Sequence, residues 1–152
     1  MSEVSKFETS KPEPSESGVT LHTLQLQAPP DNVDAVHSLL ETVWAHDLIV
    51  SGSDRLRFET ALIELASNVL QHANTGAGVT CNLQLQISAE QIVATLRDSG
   101  ASAVTGSPHA GMPDELAEGG RGLPLIHALV DELDYQRDGD INQWRIVRRL
   151  SA

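Results

Sequence analysis

The stretch Val79-Thr80-Cys81-Asn82-Leu83-Gln84-Leu85-Gln86-Ile87, with Gln91-Ile92-Val93-Ala94-Thr95-Leu96-Arg97-Asp98 behind it, decides the fold. In the first run Val79, Cys81, Leu83, Leu85 and Ile87 alternate with Thr80, Asn82, Gln84 and Gln86. Successive side chains of a strand point to opposite faces, so a period of two reads as a strand buried on one side and polar on the other. The second run follows across Ser88-Ala89-Glu90. That link is too short for a helical crossover, so the two strands pair as an antiparallel hairpin.

Upstream of the hairpin, Leu62, Leu65, Ala66, Val69, Leu70 and Ala73 form one apolar stripe, which predicts a helix from about Asp54 to Ala73. Ser53 or Asp54 caps it after the Ser51-Gly52-Ser53 break. An earlier helix, about 32–49, carries Val33, Val36, Leu39, Leu40, Val43 and Trp44, with Asp31 or Asn32 as its cap. Before that, Leu24, Leu26 and Ala28 alternate in a strand that Pro29-Pro30 ends. Residues 1–18 read as a disordered Ser/Glu/Pro tail, and 19–152 as a single domain.

Downstream, Ser99–Gly119 reads as a long loop, a length that is usually functional or disordered. A helix from near Gly122 to near Leu133 follows. Two strands, around Tyr135 and over Gln143–Arg149, then meet at an Asp138-Gly139-Asp140 turn. The order β-α-α-β-β-loop-α-β-β predicts an α+β two-layer sandwich, with a mostly antiparallel mixed sheet and helices on one face. The Gln/Thr face of the strands is then wet or an interface.

Composition narrows the function. The 152 residues carry 10 Lys+Arg against 21 Asp+Glu, a net charge of −11. That balance argues against nonspecific nucleic-acid binding and against a polybasic membrane patch. No run reaches the ~18 apolar residues of a membrane span. The N-terminal stretch has no apolar signal-peptide core, and the expected location is cytoplasmic. The single Cys81 has no internal disulfide partner and reads as a buried structural thiol. His22, His37, His46, His109 and His127 show no metal spacing; Trp44 reads as core.

Three clusters carry chemistry. Glu64, Asn68 and His72 are spaced i, i+4, i+8 and share one helix face beside the apolar stripe. A carboxylate and an amide oxygen one turn apart suit a general base and a hard cation; taken alone, they also suit a solvated polar face. Asp98-Ser99-Gly100 ends a strand. Its carboxylate can accept from an exocyclic amine, with glycine allowing close approach; the same residues also make ordinary turns. Gly119-Gly120-Arg121-Gly122-Leu123-Pro124 opens a helix, where free N–H groups and the dipole favour an anion. Its spacing is neither that of a P-loop nor that of a Rossmann turn.

In this order the clusters resemble the N, G1 and G2 boxes of the GHKL (Bergerat-fold) ATPases. The closer resemblance is to small anti-sigma-factor serine kinases, through Ala61-Leu62-Ile63-Glu64-Leu65-Ala66-Ser67-Asn68-Val69-Leu70-Gln71-His72-Ala73, Asp98-Ser99-Gly100 and Gly119 to Ile126. It covers about residues 20–150, and Asp131-Glu132-Leu133 is similar to the family's helix end. The resemblance implies that Glu64 is the general base toward a protein serine. Asn68 would hold Mg²⁺ against ATP, Asp98 and Gly100 would receive adenine, and Gly120, Arg121, Gly122 and Leu123 would hold the phosphates. Residues 101–119 would form the ATP lid. His72 matches without an assigned catalytic step.

The implied activity is that of an ATP-dependent protein-serine kinase and anti-sigma factor. Its expected partners are a STAS-type anti-anti-sigma protein, a sigma factor and a second copy of itself. Two other readings share the boxes: a non-catalytic, ATP-gated partner switch, and a regulatory kinase domain in a non-sigma pathway. No lysine follows Lys11, so phosphate charge falls to Mg²⁺ or arginine. Histidine kinases need a further helical dimerisation segment, for which 152 residues leave no room.

Overall fold

Helical stripes and alternating strands assemble as expected in a computed structural model, which describes residues 18–28, 30–46, 49–73, 78–100 and 122–150. The elements run β1 (Thr20–Ala28), α1 (Val33–His46), α2 (Gly52–Ala73), β2 (Val79–Ile87), β3 (Gln91–Asp98), α3 (Gly122–Leu129), β4 (Glu132–Asp138) and β5 (Ile141–Arg149). The five strands form one sheet in the order β1-β2-β3-β5-β4. Among the described residues every pairing is antiparallel, where a mixed sheet was expected.

The register puts the apolar sets on one face. Leu26 lies opposite Cys81, Leu24 opposite Leu83, Leu83 opposite Leu96, and Leu96 opposite Trp144. The helices bury their stripes against this face: Val36, Leu39, Leu40 and Val43 from α1; Phe58, Leu62, Leu65 and Val69 from α2; Leu123 and Ile126 from α3. Each such large side chain contributes about 1.5–3 kcal/mol on burial. On the other face Gln25, Gln27, Asn82, Gln84 and Gln86 are exposed, although Val93 and Val147 pair there and are buried.

Helix ends differ from the sequence reading. Asn32 is the first cap, its Oδ1 accepting from the Asp34 N–H at 2.8 Å. Ser51, not Ser53 or Asp54, caps α2: its Oγ accepts from the Asp54 N–H at 3.1 Å and donates to Asp54 Oδ2 at 3.2 Å. The first bond satisfies a helix N–H group that lacks an intrahelical partner, and the second holds the capping hydroxyl in place. At the other extreme, α3 stops at Leu129, short of Leu133, and Glu132 and Leu133 already belong to β4. Sheet pairing takes over there, because the Asp131 N–H donates to the Val147 carbonyl at 2.7 Å. The last strand begins at Ile141, two residues before its expected start.

Trp44 is half-buried against the core edge, where its indole N–H donates to Glu59 at 3.0 Å and ties α1 to α2. Among the described residues, no helix is long and apolar enough to cross a membrane. Residues 1–17 of the tail expected at 1–18, and the lid expected at 101–119, lie outside the described residues, as do Gly120 and Arg121.

Candidate functional site

α2 carries the first two candidates because its apolar stripe turns them to the stripe's edge. Leu65, Ala66 and Val69 are buried around them, Asn68 is buried at 7% exposure, and Glu64 is half-buried. Glu64 makes no hydrogen bond or ion pair with another described residue. His72 lies in α2, but its side chain is outside the described residues.

The second element is the end of β3. Asp98 is on the core face, opposite Cys81 of β2 and Asn142 of β5, and is 2% exposed. Ser99 carries the sheet one step further: its N–H donates to the Thr80 carbonyl, and its Oγ accepts from the Thr80 N–H, both at 3.0 Å. Gly100 then turns back, and its N–H donates to Asp98 Oδ1 at 2.9 Å. Burial holds the Asp98 carboxyl above its usual range. Hydrogen bonds from Asn142 and Gly100 and the Arg137 charge oppose that rise. Beside it, burial and then the Asp98 charge push the Cys81 thiol up to about 12. A thiol in that state is no nucleophile at neutral pH.

The third element is α3, which packs along α2. Gly122 opens it, and no acidic side chain occupies its first turn. Leu123 is buried in the core, so its side chain anchors the helix; its backbone N–H is what it can offer a ligand. Pro124, exposed in the first turn, gives up no intrahelical bond.

Sequence reasoning predicted the last hairpin but not its place behind Asp98. Asn142, 2% exposed, donates through Nδ2 to Asp98 Oδ1 at 2.9 Å. Its own Oδ1 accepts from the Tyr135 hydroxyl and from Arg137 Nη1, the latter at 2.9 Å. Arg137 Nη1 also reaches the Gly100 carbonyl at 3.2 Å. The Gly139 turn was the available signal, since it sets Arg137 opposite Asn142. Nothing local in the sequence brings that pair to Asp98.

The candidate site thus draws on a carboxylate and an amide of α2, a buried acceptor at the end of β3 and the glycine-led N-terminus of α3, and α2 packs against both other elements. Residues 26–148 match the family model for the histidine kinase-like ATPase domain. The chain belongs to that family. Comparison with curated proteins gives no significant match.

Membership in the histidine kinase-like ATPase family implies ATP as ligand, with Mg²⁺ its usual companion. Two buried polar atoms test the fit: Asp98 Oδ2 and Asn68 Nδ2 have no hydrogen-bond partner among the described residues. A buried polar group left unpaired is costly, and a ligand that pairs it removes the cost. An exocyclic amine suits the first atom and a phosphate oxygen suits the second. Among the described residues no group of three or more His, Cys, Asp or Glu could hold a metal. With nucleotides Mg²⁺ favours few protein ligands plus phosphate and water oxygens. The residues present fit a nucleotide of this kind.

Proposed function

We propose that this protein is an ATP-dependent protein-serine kinase of the partner-switching type. It would phosphorylate a STAS-type anti-anti-sigma protein and, when free of it, hold a sigma factor. The observation that carries the reading is Glu64, a half-buried carboxylate one helical turn from the buried Asn68 and unpaired among the described residues. A carboxylate held ready in this way suits a base.

Bound Mg-ATP supplies the phosphoryl group. Asp98 would accept from the adenine amine, with Gly100 beside it. Asn68 would hold Mg²⁺ through its side-chain oxygen, and the N–H groups of Gly122 and Leu123, with Gly120 and Arg121, would hold phosphate oxygens. Glu64 would take the proton of the substrate serine as that oxygen bonds to the γ-phosphorus and the bond to the departing ADP breaks. Positioning and charge neutralisation do most of the work in such transfers.

The test uses γ-labelled ATP and Mg²⁺ with an extract of the source cell, comparing wild type with Glu64→Ala. The expected result is acid-stable phosphoserine on one small protein, with wild type only. No Glu64-dependent label, with ATP binding confirmed in both, would overturn the kinase reading in favour of an ATP-gated binding module.

A further inference from the structure

We infer that Asn142 is a specificity-determining positioning residue: locked by Tyr135 and Arg137, it pins Oδ1 of Asp98 so that Oδ2 is the oxygen offered to a ligand's exocyclic amine. The inference rests on the adenine-nucleotide reading of the site.

The two oxygens of Asp98 are unlike. Oδ1 accepts from the Gly100 N–H and from Asn142 Nδ2, both at 2.9 Å. Oδ2 is buried and has no partner among the described residues. A carboxylate with both oxygens alike could turn about its last torsion; one with two donors on a single oxygen is fixed in rotation. Asn142 supplies the only side-chain donor to Asp98 among the described residues, from the neighbouring strand.

Asn142 is itself fixed by chemistry. Its Oδ1 receives the Tyr135 hydroxyl and the Arg137 guanidinium. Flipping the amide would turn its NH₂ toward the cationic guanidinium, which can only donate, and its oxygen toward the Asp98 carboxylate, which only accepts. Tyr135 in turn packs on Trp144, their ring centres 4.5 Å apart. Arg137 spans from Asn142 to the Gly100 carbonyl. Tyr135, Arg137 and Asn142 all belong to the β4–β5 hairpin, and Arg137 and Asn142 are direct cross-strand partners. The hairpin is thus a brace for one carboxylate.

The consequence is base selection. A base with an exocyclic amine at the adenine 6-position donates to Oδ2. A base with a carbonyl there, as in ITP, sets an acceptor against a carboxylate and leaves Oδ2 unpaired. The choice depends on Oδ2 being left without a protein donor, which is what Asn142 secures by holding Oδ1.

Equilibrium binding of Mg-ATP and Mg-ITP to wild type, Asn142→Leu and Tyr135→Phe tests this, with thermal melting as the fold control. Wild type is expected to bind ATP at least about tenfold tighter than ITP. Asn142→Leu is expected to lose most of that ratio through weaker ATP binding, with ITP affinity changing less than about threefold. A lesion that is merely structural would weaken both nucleotides alike, and that result overturns the inference. If Asn142→Leu does not fold, Tyr135→Phe carries the test, with the ratio expected to fall about threefold. A wild type that discriminates, beside variants that keep the full ratio, overturns the inference alone. A wild type that binds ATP and ITP equally overturns the adenine reading of Asp98 as well.

Discussion

Cys81 and Asp98 sit directly opposite each other on the β2–β3 ladder, both buried on the helix-covered face of the sheet. Burial first, and the neighbouring carboxylate second, push the thiol up to about 12. At pH 8 about one thiol in ten thousand is then ionised, and only the thiolate reacts with disulfide reagents. Native protein should react about a thousandfold more slowly than protein in guanidinium. A time course with a chromogenic disulfide measures this, and native labelling within seconds would contradict the burial of Cys81.

Asp98 predicts a conflict between stability and binding. Its folded pKa is raised, so the folded state binds its proton more readily than the unfolded chain does. Stability from this group is full below the unfolded value of 3.8 and is lost as pH rises through the raised folded value. Asp98→Asn should therefore be at least as stable as wild type at pH 7. It should also lose much of the preference for ATP over GTP, since an amide NH₂ can replace Oδ2 and donate to a guanine carbonyl. Urea titration at pH 5 and pH 7, with competition between the two nucleotides, tests both halves. An unchanged ATP/GTP ratio would remove the adenine assignment.

How far these features were legible in the sequence depends on the range of the contacts that set them. Alternation in 79–87 and 91–98 located the central hairpin, because period two is a local signal. The spacing of Glu64 and Asn68 likewise follows from helix geometry alone. The early end of α3 was not legible, since Asp131 is held by the Val147 carbonyl and by the Arg149 N–H, both in β5. Asn142 was hidden for the same reason. Its meeting with Asp98 needs β3 to pair with β5, across 44 residues of chain. Gly120 and Arg121 lie outside the described residues, so their part in the site stays with the sequence.

Asn68 predicts a metal-dependent loss. If its oxygen holds Mg²⁺ against the phosphates, ATP should bind wild type more tightly with Mg²⁺ than with excess chelator. Asn68→Ala should lose most of that difference, on the order of 1–3 kcal/mol for a bond to a charged group. Calorimetry with and without Mg²⁺ measures it. Equal affinity in wild type under both conditions would remove the metal role.

Gly139 predicts a small and purely conformational cost. It is the first of the two central residues between Asp138 and Ile141, and its φ is +63°. Glycine with positive φ there is the pattern of a type II′ hairpin. A Cβ at this position would meet nothing within 4 Å, so sterics with neighbours add nothing. Gly139→Ala should cost about 1–2 kcal/mol from the backbone alone. Chemical denaturation reads this directly, and a cost near zero would show that the turn adopts another form.

Arg148 and Asp54 predict a large effect on stability outside the apolar core. Arg148 Nε donates to Asp54 Oδ1 at 2.9 Å, and the Asp54 side chain is 2% exposed. The same guanidinium, through Nη1, donates to the Leu129 carbonyl at 2.8 Å and so caps the C-terminal end of α3. One side chain thereby fastens the start of α2 to the end of α3, the two helices that flank the candidate site. Arg148→Met keeps the apolar stem but takes the cation away from a buried carboxylate, a loss of about 3–5 kcal/mol in comparable buried pairs. Arg148→Lys keeps the charge without the fork that makes both bonds, and should fall between wild type and Arg148→Met. Adding Asp54→Asn to Arg148→Met removes the carboxylate's charge and should recover part of the loss. Urea unfolding of the four proteins gives the order. A loss below about 1 kcal/mol for Arg148→Met would mean that the pair is solvated and does not hold the helices together.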